Sequence, residues 1–354
     1  MKPVFSIRLL PDTDLTPVLQ DRLMSIRITD KAGLESDEVD ISLDDRDGAV
    51  ALPKKGAELE VSLGYEETGL TRIGRYRIDE VECSGPPQLM TLRGRPADMA
   101  GGIKSVRRHA WENTTLEAVV RDIAARNRLK PVCKVKAGIS RLDQMNESDL
   151  HFLSRIAREH DAAATVKGGQ LLVLPRGGQN RSASGKTLPA LVITREDIKS
   201  WRYNTSSRNA AGGVLAKSHN AKTGKTEEVL VPDPDNPLAP IRTVRHTASG
   251  KGTAGSKAKA TLDAARRSTA TLSVTLPGRA DIVAERVASI TGLKPGVDGQ
   301  WPIESVAHAF SQSGWETSVE CGAGKDQHKK RAGKKTGKKK VKGDGEVLKP
   351  AGKL

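Results

Sequence analysis

The sequence is poor in the residues that many small folds depend on. Only 3% of its 354 residues are aromatic, and only Cys83, Cys133 and Cys321 are cysteine. The cysteines lie far apart with no C-x-x-C spacing, which speaks against a disulfide framework or a zinc knuckle and leaves them as buried or free thiols. No run of about eighteen apolar residues occurs, so no membrane-spanning helix is expected. Arg8 interrupts the apolar start Val4-Phe5-Ser6-Ile7 too early for an export signal, and folding in a reducing cytoplasm is the expectation. The length nevertheless allows about two or three domains, which excludes a disulfide-stapled miniprotein. With so few aromatics the core must be aliphatic.

Charge is present in excess, but it is unevenly placed. Residues 325–354 carry +9 of the formal +15, so the remainder of the chain is close to balanced. This Lys-rich end has Lys334-Lys335 and Lys338-Lys339-Lys340 separated by Gly, with no aromatic for base stacking and no apolar helical face for a membrane. It is expected to be a disordered tail, and nucleic-acid contact through it is the weakest functional reading.

Residues 1–108 show period-two alternation. Val39, Ile41 and Leu43 alternate with polar residues, as do Leu59, Val61, Leu63 and Tyr65. Tyr76 and Ile78 run into Val81 and Cys83 with a phase slip that predicts a β-bulge. Turn signals at Asp47-Gly48, Lys55-Gly56 and Ser84-Gly85-Pro86-Pro87 separate the runs, giving a first antiparallel β domain.

Residues 109–175 change period. Thr114 followed by Glu117 predicts a capping box before a helix carrying Leu116, Val119, Val120 and Ile123. A second helix is expected from Asn146, acting as its cap, with Leu150, Leu153 and Ile156 on the apolar face. Gly168-Gly169 then marks a hairpin, so the module reads helix, helix, hairpin. Residues 176–186 lack large apolar side chains and read as a linker. From 187 to 324 β patterning returns through Leu191-Val192-Ile193, Val229-Leu230-Val231 and Leu272, Val274, Leu276, crossed by one helix at about 254–268. After Asp298-Gly299 the strand pattern is taken to continue as Trp301, Ile303, Ser305 and Ala307. The fold class is therefore α+β but mainly β: two β domains flanking a small mixed module.

No residue pattern supports catalysis or cofactor binding. Asn180 to Thr187 ends in Gly-Lys-Thr but lacks the first glycine of a phosphate loop and leads towards a strand, so it is read as linker. Histidines 109, 151, 160, 219, 246, 308 and 328 show no metal-ligand spacing. Asp44, Asp45 and Asp47, like Asp233 with Asp235, fit turn chemistry better than a calcium loop. No G-x-S-x-G elbow is present. The expected catalytic, cofactor and metal residues are accordingly none.

The most specific string is Gln144-Met-Asn146-Glu147-Ser148-Asp149-Leu150-His-Phe152-Leu153-Ser-Arg155-Ile-Ala157-Arg158-Glu159. Together with Thr114-Thr115-Leu116, Leu276-Pro277-Gly278-Arg279 and Gly299-Gln-Trp301-Pro-Ile303-Glu-Ser-Val306-Ala-His308, it resembles the late control protein D family of tailed phages. The resemblance covers about residues 4–322. It implies a non-enzymatic hub of a contractile-tail baseplate, similar to the hub part of type VI secretion VgrG spikes and to R-type pyocin hubs. In such hubs each chain supplies two tube-like β-barrel domains to a homotrimer, matching a six-fold tail tube to a three-fold spike. The implied partners are the tail tube protein, the trimeric spike protein and the baseplate wedge proteins, with the tape measure protein a further candidate, and the implied location is the virion tail baseplate. The competing reading is a tail component that binds or degrades peptidoglycan, resting on the middle module.

Overall fold

The computed structural model describes residues 1–33, 37–54, 56–97, 102–167, 169–176, 190–219, 223–248 and 250–323. The proposed linker at 176–186, apart from Arg176, the loop-like 180–187 and the Lys-rich tail lie outside these residues.

The first third is a run of strands: β1 (Pro3–Leu9), β2 (Thr13–Asp14), the short helix α1 (Thr16–Leu19), β3 (Leu23–Lys31), β4 (Glu38–Asp44), β5 (Glu58–Tyr65), β6 (Gly69–Ser84) and β7 (Leu89–Pro96). The middle holds β8 (Val106–Thr115), α2 (Leu116–Arg126), β9 (Lys130–Cys133), β10 (Gly138–Ser148), α3 (Asp149–Glu159), β11 (Ala162–Lys167) and β12 (Gln170–Pro175). The last third has β13 (Leu191–Thr194), β14 (Ser200–Thr205), β15 (Gly213–His219), β16 (Thr226–Pro232), β17 (Ile241–Thr243), α4 (Lys251–Arg267), β18 (Ala270–Pro277), β19 (Val287–Thr291), β20 (Gly299–Ser311) and β21 (Gly314–Gly322).

The mainly β, antiparallel fold follows the expectation, but the two ends of the chain are not separate sheets. Among the described residues, strands from both ends share one thirteen-stranded sheet in the order β14-β18-β21-β20-β3-β4-β7-β6-β5-β1-β2, with β19 branching from β20 and β13 pairing with β19. The seam is the antiparallel pair β3·β20, running from Lys31 opposite Ser305 to Ser25 opposite Ser311. Neither half closes on itself as a barrel in this hydrogen-bonded order. We call β1–β7 the first lobe and β13, β14 and β18–β21 the second.

The alternating aliphatics behave as their period dictates. Val39, Ile41, Leu43, Leu59, Val61 and Leu63 are all buried in the first lobe, and the predicted slip in β6 is a register shift between Ile78 and Glu80. A second slip went unpredicted: β20 shifts register between Ile303 and Ser305, so the buried face passes from Trp301 and Ile303 to Val306, His308 and Phe310. The assignment of Ser305 and Ala307 to the alternation is thereby corrected. That bulge lets one strand serve two cores. Trp301, Ile303 and Val306 pack in the second lobe, while Phe310 and Trp315, at the tip of the β20–β21 hairpin, pack in the first. Phe310 meets Phe5 edge-on at 5.4 Å, and Trp315 meets Tyr65 at 5.3 Å.

The middle module contains more than helix, helix and hairpin. β8 and β10 form a two-stranded ribbon, and β9 joins β11–β12 in parallel. These were hidden because β8 is almost wholly exposed and so carries no apolar alternation. Both helices exist, with caps shifted from the predicted positions. Thr115, not Thr114, accepts from the Ala118 amide, and Ser148, not Asn146, accepts from the His151 amide. Asn146 has a left-handed backbone (φ 52°) at the β10 register shift, and its Oδ1 accepts from Arg108 Nε at 2.8 Å. A fourth core lies where α4 covers one face of the small sheet β16-β15-β17.

Candidate assembly interface

Two kinds of surface can do work in this molecule: the open ends of the long sheet, and the junction where both lobes meet the middle module. At one end β14 pairs with β18 through six residues, from Ser200 opposite Thr275 to Thr205 opposite Ala270, and no strand among the described residues pairs with its outer side. At the other end β1 pairs with β5 along its whole length, while on its outer side β2 covers Arg8 and Leu9, and Ile7 accepts from the Leu15 amide at 2.9 Å and donates to Thr16 Oγ1 at 3.0 Å, so the open stretch is residues 3–6. Unpaired strand edges are rows of free donors and acceptors. The two ends are different strands, so a contact between them in two copies would be head-to-tail rather than self-complementary.

The junction is electrostatic. Lys167, at the end of β11, donates to Asp30 of β3 at 2.6 Å, and the other oxygen of Asp30 accepts from the Ala284 amide at 2.8 Å. Glu285 answers by accepting from the Gly33 amide at 3.0 Å, and Asp37 accepts from the Lys31 amide at 3.1 Å. One half-buried lysine thus faces three carboxylates drawn from both lobes. Burial alone would depress the Lys167 ammonium, yet Asp30, Asp37 and Glu285 together hold it above the ordinary lysine range. Burial pushes Asp37 up to about 7, with Asp30 adding to the effect against the pull of Lys167. Burial likewise raises Glu285. His308, opposite Ile28 on the seam, is lowered by burial to about 4, so it is neutral at pH 7 and bonds Thr317 Oγ1 through Nδ1 at 3.0 Å.

The sequence motifs take up structural positions. Asp149, in the first turn of α3, is fully buried; it accepts from Gln144 Nε2 at 3.0 Å and Asn127 Nδ2 at 2.9 Å, with Arg107 and Arg126 within 4 Å. This network accounts for Gln144 and Asp149 in the conspicuous string, and Glu147 is held by Arg155 and His151. In Leu276-Pro277-Gly278-Arg279, a Cβ on Gly278 would lie 1.9 Å from the Trp315 ring, so only glycine fits against that indole. Asp233, placed in a turn, is 1% exposed and forms an ion pair with Arg266 at 2.5 Å. Asp47 pairs with Arg22 at 2.6 Å. Among the described residues no group of three or more His, Cys, Asp or Glu is arranged to hold a metal ion, and no helix is long and apolar enough to cross a membrane. The residues that sequence reasoning missed are Asp30, Asp37, Lys167, Arg176 and Glu285. None lies in a motif, and only the folded chain brings them together.

Comparison with known proteins gives this geometry a family. Residues 33–314 match the model of the phage tail baseplate hub family. The chain is 36% identical over 357 residues to the probable baseplate hub protein of Escherichia phage P2, covering 88% of this chain and 91% of that protein. Among solved structures, the 43 kDa tail protein of prophage MuSo2 from Shewanella oneidensis superposes with a TM-score of 0.70 at 15% identity, covering 92% of this chain and 99% of the other. An Escherichia coli component of the type VI secretion system shares the fold with a TM-score of 0.52 at 11% identity, covering 85% of this chain and 73% of its own. The late control protein D resemblance is therefore correct, the likeness to the type VI component is one of fold, and the chain belongs to the phage tail baseplate hub family, whose place is the virion tail.

Proposed function

We propose that three copies of this baseplate hub close into a ring that adapts a six-fold tail tube to a three-fold spike in a contractile tail. Each chain supplies two tube-like lobes, residues 1–108 and 187–324, on either side of a module at 109–175. Three chains then present six lobes to the tube and three equivalent faces to the spike. The observation that carries this reading is the pair of unlike open edges at opposite ends of one continuous sheet. Head-to-tail pairing of unlike edges generates a ring when the rotation closes, and closure removes both edges from solvent. Large permanent interfaces also suit a chain whose own aromatic content is 3%.

The action is mechanical. The ring would hold the tube protein above, the trimeric spike protein below and wedge proteins around it, with the tape measure protein a candidate for the tube side, and no group on the chain is asked to make or break a bond. Native mass measurement of the full chain, alone and with tube and spike proteins, tests the stoichiometry: a trimer is expected. A monomer that persists in the presence of both partners would overturn the ring.

A further inference from the structure

At the junction of the two lobes and the middle module lies a cleft of about 890 Å³. Its middle-module wall is the outer face of the β11–β12 hairpin. Ala162, Ala164, Leu171 and Val173 of that hairpin point into the module's own core. Ala163, Leu172 and Leu174 instead line the cleft, as do Lys134, Arg176 and Arg267. The wall is thus an aliphatic strip bordered by cations.

These cations are not equally satisfied. Arg267 is held by Asp161 through two bonds of 3.0 and 2.5 Å. Arg176 forms no ion pair with any described residue; its side chain makes one long hydrogen bond, from Nε to the Ala162 carbonyl at 3.4 Å, and its guanidinium rests over Gly33. Burial and then the nearby Arg267 charge lower its pKa below the ordinary arginine range, against the pull of Asp161 and Glu304. Lys134 is exposed and likewise has no ion pair among the described residues. Three carboxylates of the same cleft are already committed, Asp30 to Lys167 and the Ala284 amide, Glu285 to the Gly33 amide and Asp37 to the Lys31 amide, while Glu304 lines the cleft and attracts Arg176 without forming an ion pair with it. A half-buried guanidinium with no direct ion pair costs free energy, and an incoming carboxylate recovers it through a bidentate, charge-assisted pair.

We propose that this cleft is a docking site for an extended acidic segment of a partner protein, with a carboxylate on Arg176, Lys134 as the second cation, and alternate apolar side chains on Ala163, Leu172 and Leu174. The period of two follows from the wall being a strand face. The segment does not come from residues 177–189, which contain no Asp or Glu. The inference is independent of the ring stoichiometry.

The test is calorimetric titration of the full chain with a short peptide alternating leucine and glutamate, beside a peptide with glutamine at each glutamate and one with serine at each leucine. Saturable binding of the first peptide alone is expected, weakened about tenfold or more by Arg176→Gln and less by Arg176→Lys. Arg176→Gln should melt at or above the wild-type temperature, because it removes a charge that lacks a partner. Equal affinity of wild type and Arg176→Gln would overturn the proposal and assign the binding to the Lys-rich end. So would equal affinity for the serine-containing peptide, a lower melting temperature for Arg176→Gln, which would make Arg176 structural, or binding of inorganic phosphate with no affinity for any peptide.

Discussion

The two lobes of the long sheet look alike in architecture but differ in what completes them. The second lobe draws its core from residues 191–323 and takes no buried side chain from the first. The first lobe takes Phe310 and Trp315 from the hairpin tip of the second, and Ala280 packs against the same core. Dependence therefore runs one way. Two lobes in one continuous sheet need not be thermodynamic equals, and hydrogen-bond continuity across β3·β20 does not by itself make them so.

The largest test of this asymmetry is a pair of core truncations read by hydrogen exchange along the chain. Trp301→Ala, which empties a fully buried site in the second lobe and frees the Val297 carbonyl from its indole bond, should cost about 3–5 kcal/mol and lower protection in both lobes. Ile41→Ala, in the first lobe, should cost about 2–5 kcal/mol and lower protection only there. Equal spread of damage from both variants would break the comparison.

A smaller effect belongs to the junction that ties the lobes together. Asp37 has its carboxyl raised to about 7, above its unfolded value, so its contribution to stability is complete below about pH 4 and is lost as pH rises through about 7. Asp37→Asn keeps the acceptor for the Lys31 amide and removes this loss. Its melting temperature should exceed wild type at pH 8, by an amount equivalent to roughly 1–2 kcal/mol, with the advantage shrinking at pH 5. An advantage that does not change with pH would remove Asp37 from the electrostatics of the seam.

The smallest expected change lies outside both lobes. Ser148→Ala removes the N-cap of α3 and should cost about 1 kcal/mol, read as a loss of protection confined to 106–175. If either lobe loosened as well, the middle module would be a support for the sheet and not a passenger on it.

What the sequence made legible was whatever depends on neighbours along the chain. The aliphatic alternations of β4, β5 and β18, the β6 bulge and the two amphipathic helices are local patterns, and they stand where periodicity put them. The caps were misplaced by one or two residues because Thr114 and Thr115, or Asn146 and Ser148, offer similar side chains. Only the bulge at Asn146 decides between the second pair. The long-range features had no local signal. Asp30 and Ala284 are 254 residues apart, and nothing near either announces the other. Lys167 read as the flank of a hairpin and Arg176 as the start of a linker, since their significance comes from the carboxylates, or the lack of them, that folding brings nearby. The family resemblance supplied the assembly role, which no spacing of residues contains.

The β20–β21 hairpin also sets the order in which the protein becomes safe from itself. The first lobe leaves the ribosome complete in its own strands, yet Phe310 and Trp315 are still unmade. At about 5–20 residues per second, the roughly two hundred residues between them take on the order of ten to forty seconds to synthesise. During that interval a sheet with β3 open on its β20 side and an unfilled core is exposed to solvent, where edge pairing between nascent chains is the characteristic failure. The last described strands are the ones that end that exposure, so a message truncated before them yields a sticky fragment and not half a hub.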